Sequence, residues 1–261
     1  NPLSLELECM RPSLFGEMLA TVERNVSRKN LNLRLFEIGN VFCANADMYP
    51  EERRDLCIVL TGQKTPERFS AELEAVYDFY DLKGLLEGLF EKLGITSCEF
   101  ELSQDDAFAP GFSAAVKVNG KVIGRLGKLA DKYTKGLRTE YPVYMAQLDA
   151  DVLIDFDPGR IFYEPIPVYP ATTRDVAFVA DKSLKHETVI DFIAKAKLKN
   201  LEKVQLFDIF EDEEHIGAGR RSMAYTLTFR NPERTLTDKE VNKPFEKLRN
   251  RLASELKVEL R

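Results

Sequence analysis

The chain of 261 residues is 44% hydrophobic and 31% charged, with a net charge of −6. This composition is typical of a globular protein and excludes an intrinsically disordered chain. Because no run of 18 or more apolar residues occurs, it also excludes a transmembrane helix and predicts no membrane partner. The first residues, NPLSLELECM, include neither an initiator methionine nor a signal-peptide pattern, so we expect the sequence to be part of a longer chain.

The residues that commonly bind zinc are too scattered to form a site. No CxxC pair occurs, and both histidines lie far in sequence from every cysteine. We therefore predict no metal site. We also predict that the cysteines are small buried hydrophobic residues in a reducing compartment, which favours the cytoplasm. The residues concerned are Cys9, Cys43, Cys57, Cys98, His186 and His215.

The first part of the chain predicts an antiparallel sheet backed by helices. A helix begins near Pro12 and carries its apolar residues at helical spacing. The dipeptide Asn119-Gly120 predicts a tight hairpin turn within 112–127. The other predicted elements are strands at 33–43, 55–62 and 143–148, and helices at 75–93 and 129–137. This order is typical of the α+β fold class.

The stretch RLFEIGNVFC (34–43) has mostly apolar residues on both faces. This pattern predicts a central strand that is buried on both sides. Its charged residues, Arg34 and Glu37, lie on opposite faces, and each is either paired within the structure or part of a functional site.

A proline-rich stretch predicts two domains, 1–155 and 172–261, joined by an extended connector at 156–171. Residues 165–261 contain 18 basic and 16 acidic residues, whereas residues 1–164 contain 19 basic and 27 acidic residues. Selection of a partner by charge is therefore expected through the second domain.

The second domain predicts the order β-α-β-β-α-β, which is the ferredoxin-like arrangement with two helices on one sheet face. Thr237 and Glu240 form a capping box that marks the start of the second helix, and Pro244 is expected to bend this helix. The remaining predicted elements are strands at 174–179, 204–210 and 222–230, a helix at 185–197 and a short final strand.

One face of this predicted sheet is left without helices. In the third strand, Met223, Tyr225, Leu227 and Phe229 are expected to face the helices. In the second strand, burying Asp208 under helices would be costly, so Leu206, Asp208 and Phe210 are assigned to the open face. An aromatic ring, a carboxylate and nearby arginines are typical of single-stranded RNA recognition. The alternative is that Phe210 packs against a neighbouring domain and Asp208 pairs with an arginine.

Several sequence strings together resemble one family along nearly the whole chain. They are NPLSLELECMRPSLF (1–15), LRLFEIGNVF (33–42), DFYDLKG (78–84), RDVAFV (174–179), LFDIF (206–210) and RTLTDKEVN (234–242). In this order they resemble the C-terminal part of the bacterial phenylalanyl-tRNA synthetase beta subunit. The resemblance implies a class II synthetase-like domain without activity, followed by a ferredoxin-fold anticodon-binding domain.

The resemblance also implies that the first domain has no catalytic residues. Cys43 occupies the position where a class II strand ends in an arginine that holds the α-phosphate of ATP, and a thiol cannot neutralise a phosphate. The stretch 144–153 resembles the later ATP-binding strand but lacks its glycines and arginine. We therefore expect Arg34 and Glu37 to pair with other groups rather than act in chemistry. The implied partners are phenylalanine-specific tRNA and an alpha subunit, in a heterotetramer of two alpha and two beta subunits, with ATP and Mg²⁺ belonging to the holoenzyme and no cofactor in this chain.

In the second domain, the resemblance implies that three residues contact the first anticodon base: Asp208, Phe210 and Ser222. Charge and position add four predicted phosphate contacts, namely Arg174, Arg220, Arg221 and Arg234. Two other functions remain open. The first domain could activate a carboxylate with ATP, or the second could sense a small molecule.

Overall fold

The computed structural model describes residues 9–44, 49–65, 75–159, 163 and 165–261. The chain divides into two compact units, 1–161 and 162–261, and the division falls inside the proline-rich stretch. Among the described residues, no helix is both long and apolar enough to cross a membrane.

The first unit is built around a six-stranded sheet. Its elements are α1 (Phe15–Ser27), β1 (Leu33–Cys43), β2 (Glu51–Thr61), α2 (Phe79–Lys92), β3 (Cys98–Leu102), β4 (Phe108–Val118), β5 (Lys121–Leu129), α3 (Asp131–Thr134), β6 (Val143–Asp149) and α4 (Ala150–Ile154). All neighbouring strands are antiparallel, in the order β1-β2-β6-β5-β4-β3. The predicted α+β class is therefore confirmed.

Local sequence explains where several of these elements begin and turn. Asp78 caps α2 by accepting from the Asp81 N–H, and Asp81 accepts from the Asp78 N–H in return. Asn119 and Gly120 have positive φ angles of 51° and 75°, as the predicted two-residue hairpin turn requires. The helices then cover the two sheet faces separately. Met18 and Val22 of α1 pack on one face, and the apolar stripe of α2 packs on the other, through Leu82, Leu86 and Phe90.

The prediction that 34–43 is a central strand buried on both sides is wrong. Among the described strands, β1 pairs only with β2 and lies at the edge of the sheet. Its second face is open, with Phe36 72% and Ile38 54% exposed. The two-sided apolar pattern of β1 is thus not explained by burial within the described unit.

The two charges of β1 have different surroundings. Glu37 accepts a hydrogen bond from Arg11 at 2.9 Å, which confirms that it is a paired structural group. Arg34 is exposed and forms no ion pair with any residue that the structure describes.

The second unit is a ferredoxin-like domain. Its elements are β7 (Thr172–Asp181), α5 (His186–Lys195), β8 (Leu201–Phe210), α6 (Glu213–Ile216), β9 (Arg220–Phe229), α7 (Asp238–Glu255) and β10 (Glu259–Leu260). The sheet is antiparallel in the order β10-β7-β9-β8, so the predicted topology is confirmed.

The core of the second unit lies between this sheet and the helices α5 and α7. Met223, Tyr225, Leu227 and Phe229 of β9 are all buried in it, as the alternation predicts. At the start of α7, the Glu240 carboxylate accepts from the Thr237 N–H at 3.0 Å, which confirms the predicted start of the helix. The opposite face of the sheet carries neither α5 nor α7. It is the open face on which the candidate RNA-binding residues were predicted to lie.

Candidate nucleic-acid interface

The position of Asp208 and Phe210 follows from the pairing of β8 with β9. Asp208 lies opposite Ala224, and Phe210 lies opposite Ser222. Directly opposed residues of an antiparallel pair point to the same face. Because the core residues of β9 are the odd-numbered ones, Asp208, Phe210 and Ser222 share the open face.

A register shift in β8 changes the third predicted member of this face. The pairing shifts between Leu206 and Asp208, so that Phe207 is an extra residue and Leu206 lies opposite Tyr225. Leu206 therefore packs against the core. Its assignment to the open face is wrong, because strict alternation does not continue through a β-bulge.

The three predicted base-contacting residues differ in accessibility. The ring of Phe210 is 43% exposed. Asp208 is exposed and forms no hydrogen bond or ion pair with any described residue. Ser222 is only 6% exposed, although it lies directly beside Phe210. The open face thus presents a free aromatic surface and a free carboxylate, and covers the hydroxyl.

Arg174 lies on the wrong side of the sheet for an open-face contact. It is opposite Leu227, which faces the core, and its guanidinium donates to Asn242 at 2.8 Å and pairs with Asp238 of α7. A phosphate contact by Arg174 stays a prediction, and it would have to be made on the helix side of the sheet rather than on the face that carries Phe210. The alternation of β7 directs its side chain toward the helices.

The other three predicted phosphate contacts are also engaged within the unit. Arg221 lies on the core side of β9 and donates to the carbonyl oxygen of Leu184 at 2.7 Å. The remaining two form ion pairs with carboxylates, Arg220 with Glu259 at 2.7 Å and Arg234 with Glu240. The structure does not bring the four arginines together, and only Arg220 shares a strand face with Phe210.

The Arg234–Glu240 pair also changes the acidity of both groups. The hydrogen bond with Glu240 raises the pKa of Arg234. Arg234, together with the N–H and hydroxyl of Thr237, holds the pKa of Glu240 well below its ordinary value. The capping box and this arginine therefore form one local cluster at the start of α7.

One cation on the open face was missed by the sequence reasoning. Lys203 lies opposite Thr228 on the open face and pairs with no carboxylate among the described residues. The predicted strand began at Val204, whereas β8 begins at Leu201, so Lys203 was left outside the strand.

In the first unit, charged residues beside β1 and β6, the strands that resemble class II ATP-binding strands, pair with one another. Asp55 is 1% exposed and accepts from the Arg53 Nε at 2.9 Å and from the amide of Gln147. Asp105 pairs with Arg125. These groups line a cavity of about 490 Å³ beside the start of α1. Both arginines that line this cavity, Arg53 and Arg125, have a carboxylate partner.

Two cysteines of the first unit, Cys57 and Cys98, are not activated for chemistry. Burial raises the pKa of the Cys57 thiol to about 12 and that of Cys98 to about 11, so both stay protonated at neutral pH. Cys43 lies half-buried at the end of β1, opposite Glu51. All four cysteines are free thiols, and no group of metal-binding side chains occurs within the described ranges.

Comparisons with known proteins match this two-unit architecture. The family described as "Phenylalanyl tRNA synthetase beta chain CLM domain" matches residues 1–150. The chain belongs to this family. The family described as "Ferredoxin-fold anticodon binding domain" matches residues 167–261, the unit that contains Asp208 and Phe210.

Curated relatives in the phenylalanyl-tRNA synthetase beta chain family match from end to end. Phenylalanine–tRNA ligase beta subunits of Halalkalibacterium halodurans and Streptococcus mutans are each 36% identical over 100% of this chain. The chain spans about a third of their length, 32% in both cases. A pyrrolysyl-tRNA synthetase structure from Desulfitobacterium hafniense shows a remote likeness, with a TM-score of 0.40 and 19% identity over 56% of this chain and 49% of that chain.

Proposed function

We propose that the chain is the C-terminal part of a phenylalanine–tRNA ligase beta subunit and binds the tRNA anticodon through the open face of its second unit. The observation that carries this proposal is the free, exposed pair of Asp208 and Phe210 on one strand face. The ring of Phe210 stacks on an anticodon base, and the Asp208 carboxylate accepts hydrogen bonds from base N–H groups. Ser222, beside Phe210, contributes only if the RNA displaces what covers it.

The electrostatics of the open face favour base reading over backbone binding. The predicted arginines are tied to carboxylates or to the backbone, and Lys203 is the unpaired cation that lies on a described strand of this face. A surface with a free aromatic ring and a free carboxylate but few free cations distinguishes RNA base sequences more than it contributes to binding affinity.

The first unit serves assembly rather than catalysis in this proposal. The compensated pairs Arg53–Asp55 and Arg125–Asp105, and the thiol of Cys43, do not fit the triphosphate of ATP. ATP and Mg²⁺ are bound elsewhere in the holoenzyme, by an alpha subunit that joins the beta subunit in a heterotetramer of two copies each. The four free thiols favour the reducing environment of the cytoplasm.

The test is a titration of the 261-residue chain with phenylalanine tRNA and with the same tRNA changed only in the anticodon. We expect the matched tRNA to bind more tightly, and the ratio of the two affinities to persist as salt is raised. Both absolute affinities should fall with salt, because backbone contacts release counterions. Equal affinity for the two tRNAs at every salt concentration would overturn the proposed function.

A second measurement tests the assignment of the first unit. Calorimetric titration of the chain with ATP and Mg²⁺ should give no binding heat. Magnesium-dependent ATP binding in the range of a functional synthetase would contradict a noncatalytic unit.

A further inference from the structure

The second unit has a cationic cleft on its helix-bearing side, away from the open face. It lies between the α5–β8 connection and α7, and three lysines line it: Lys197, Lys199 and Lys247. Its volume is about 210 Å³, and it is lined by no carboxylate. We call it the lysine cleft.

The lysine cleft groups several lysines that have no acidic partner within the described part of the chain. None of its three lysines pairs with a carboxylate among the described residues. Most arginines of the same unit do. The pairs are Arg174–Asp238, Arg220–Glu259, Arg230–Glu202, Arg234–Glu240, Arg249–Glu246 and Arg251–Glu255. The cleft therefore offers three cations, unpaired among the residues that the structure describes, within one cavity that no described carboxylate lines.

Stabilisation of the fold accounts for only part of this arrangement. Lys197 and Lys199 follow the C-terminus of α5, where cations interact favourably with the helix dipole. Lys247 does not, since it lies in the middle of α7, with Lys243 and Arg251 one turn away on either side. Like charges at this spacing repel one another, so the stability of the helix does not account for Lys247.

The shape of the lysine cleft suits a sugar–phosphate backbone. Leu198, Leu248 and Pro244 supply apolar surface, and the three lysines line the rest of the cleft together with Ala196 and Arg251. Arg251 is held by Glu255 at 2.7 Å and lies over the ring of Phe192, 5.0 Å from its centre, which fixes that wall.

We propose that the lysine cleft binds phosphate groups of an RNA backbone, and thereby supplies the affinity that the open face lacks. The proposal rests on the proposed function for the identity of the RNA. The cleft residues Lys197 and Lys199 lie just before β8, which runs from Leu201 to Phe210. Ten residues in an extended strand span about 30 Å. A tRNA with one base on Phe210 follows the edge strand β8 to reach the cleft.

The test compares two triple variants of the 261-residue chain. One is Lys197→Gln, Lys199→Gln, Lys247→Gln. The matched control is Lys92→Gln, Lys121→Gln, Lys135→Gln, which removes the same charge from exposed lysines of the first unit that also lack carboxylate partners among the described residues. Matched and anticodon-changed tRNA are titrated against both variants over a range of salt concentrations, and thermal unfolding is recorded.

We expect the cleft variant to bind both tRNAs several-fold more weakly, with their affinity ratio unchanged. The slope of log affinity against log salt should become shallower by about 2 to 3, the value for three lost phosphate contacts. The control should behave as the unmodified chain. A cleft variant with the affinity and salt slope of the control, whether or not its thermal stability falls, would overturn the proposal.

The outcomes separate this proposal from the proposed function. An unmodified chain that binds both tRNAs equally, with a cleft variant that binds both more weakly, overturns anticodon reading and supports the lysine cleft. An unmodified chain that binds the matched tRNA more tightly, with a cleft variant identical to the control, supports anticodon reading and overturns the proposal for the lysine cleft. No tRNA binding by the unmodified chain would overturn both.

Discussion

The two units use a sheet carboxylate in opposite ways. Asp55 in β2 is 1% exposed and accepts from Arg53 and Gln147, whereas Asp208 in β8 is exposed and forms no bond within the described part of the chain. A buried carboxylate must be paired, because desolvation of an isolated charge is costly. An exposed one can stay unpaired at little cost. The difference separates a structural group from one that is free to meet a ligand.

The neighbours of the two carboxylates reinforce this contrast. Beside Asp55 the cavity contains further internally paired charges, including Arg125 with Asp105. Beside Asp208 an exposed aromatic ring, Phe210, lies on the same face. The first arrangement stabilises a fold, and the second offers both chemical groups that bind an RNA base.

The largest effects are expected when one unit is unfolded at a time, which tests whether only the second unit binds tRNA. Phe90 belongs to the core of the first unit and Phe178 to that of the second, and both are almost fully buried. Phe90→Ala and Phe178→Ala should each lower the free energy of unfolding of their own unit by about 3–5 kcal/mol. Urea denaturation followed by fluorescence and circular dichroism measures this loss.

The same two variants separate scaffold from binding. At a urea concentration where only the altered unit is unfolded, Phe90→Ala should retain tRNA binding and Phe178→Ala should lose it. Loss of tRNA binding in Phe90→Ala would show that the first unit takes part in recognition.

A smaller effect is expected from the exposed aromatic ring. Phe210→Ala should weaken tRNA binding by about 1–3 kcal/mol, which is the usual contribution of a base–aromatic stack. The matched control is Ile209→Ala. Ile209 is 48% exposed, close to the 43% of Phe210, but lies opposite Met223 on the other face. Equal losses of tRNA-binding free energy in both variants would show that Phe210 contributes through packing and not through base stacking.

Asp208 should affect discrimination more than affinity. Asp208→Ala removes a hydrogen-bond acceptor at one base, so the preference for the matched anticodon should fall by about 1 kcal/mol. The measurement is the ratio of affinities for tRNAs that differ at a single anticodon base. A variant that rejects the wrong base as strongly as the unmodified chain would contradict the role of Asp208.

The smallest effect concerns a paired charge of the first unit. Burial alone would raise the pKa of Asp105, but the Ala107 N–H and the Arg125 guanidinium outweigh it and lower the pKa. A group with a lowered folded-state pKa adds stability above its unfolded value of about 4, and this stability is lost as the pH falls through the folded-state pKa.

Asp105→Asn should therefore destabilise the first unit at pH 7 by up to about 1 kcal/mol, because the pair is partly solvated. The difference from the unmodified chain should shrink below about pH 4. Denaturant unfolding at about pH 7 and near pH 3 measures both values, on either side of the unfolded-state pKa. A difference that grows in acid would contradict a lowered pKa for Asp105.

Periodicity and turn chemistry predicted most of the elements because these signals are local. The buried stripe of α1, the turn at Asn119-Gly120 and the start of α7 at Thr237 all depend on residues within a few positions of one another. Three short elements, β3, α4 and α6, were missed because four or five residues show too little periodicity to be recognised.

The candidate site was predictable only in part. Alternation and the cost of burying a charge assigned Asp208 and Phe210 to the open face, and the register agrees. Leu206 was misassigned because no local signal marks the bulge at Phe207. The four arginines could not be sorted from the sequence, since each has a partner that lies between 6 and 64 positions away along the chain, namely Asp238, Glu259, the Leu184 carbonyl and Glu240.

The sequence by itself determined the order of most helices and strands, the ferredoxin-like topology of the second unit and the residues that resemble an anticodon reader. These properties follow from short-range patterns and from recognisable strings. Only the tertiary structure decided that β1 is an edge strand, that three of the four predicted arginines form ion pairs and that three lysines, unpaired among the described residues, line one cleft beside α7. The physical reason is that exposure and charge pairing depend on which distant segments come into contact, and a residue's own neighbours in sequence do not specify these contacts.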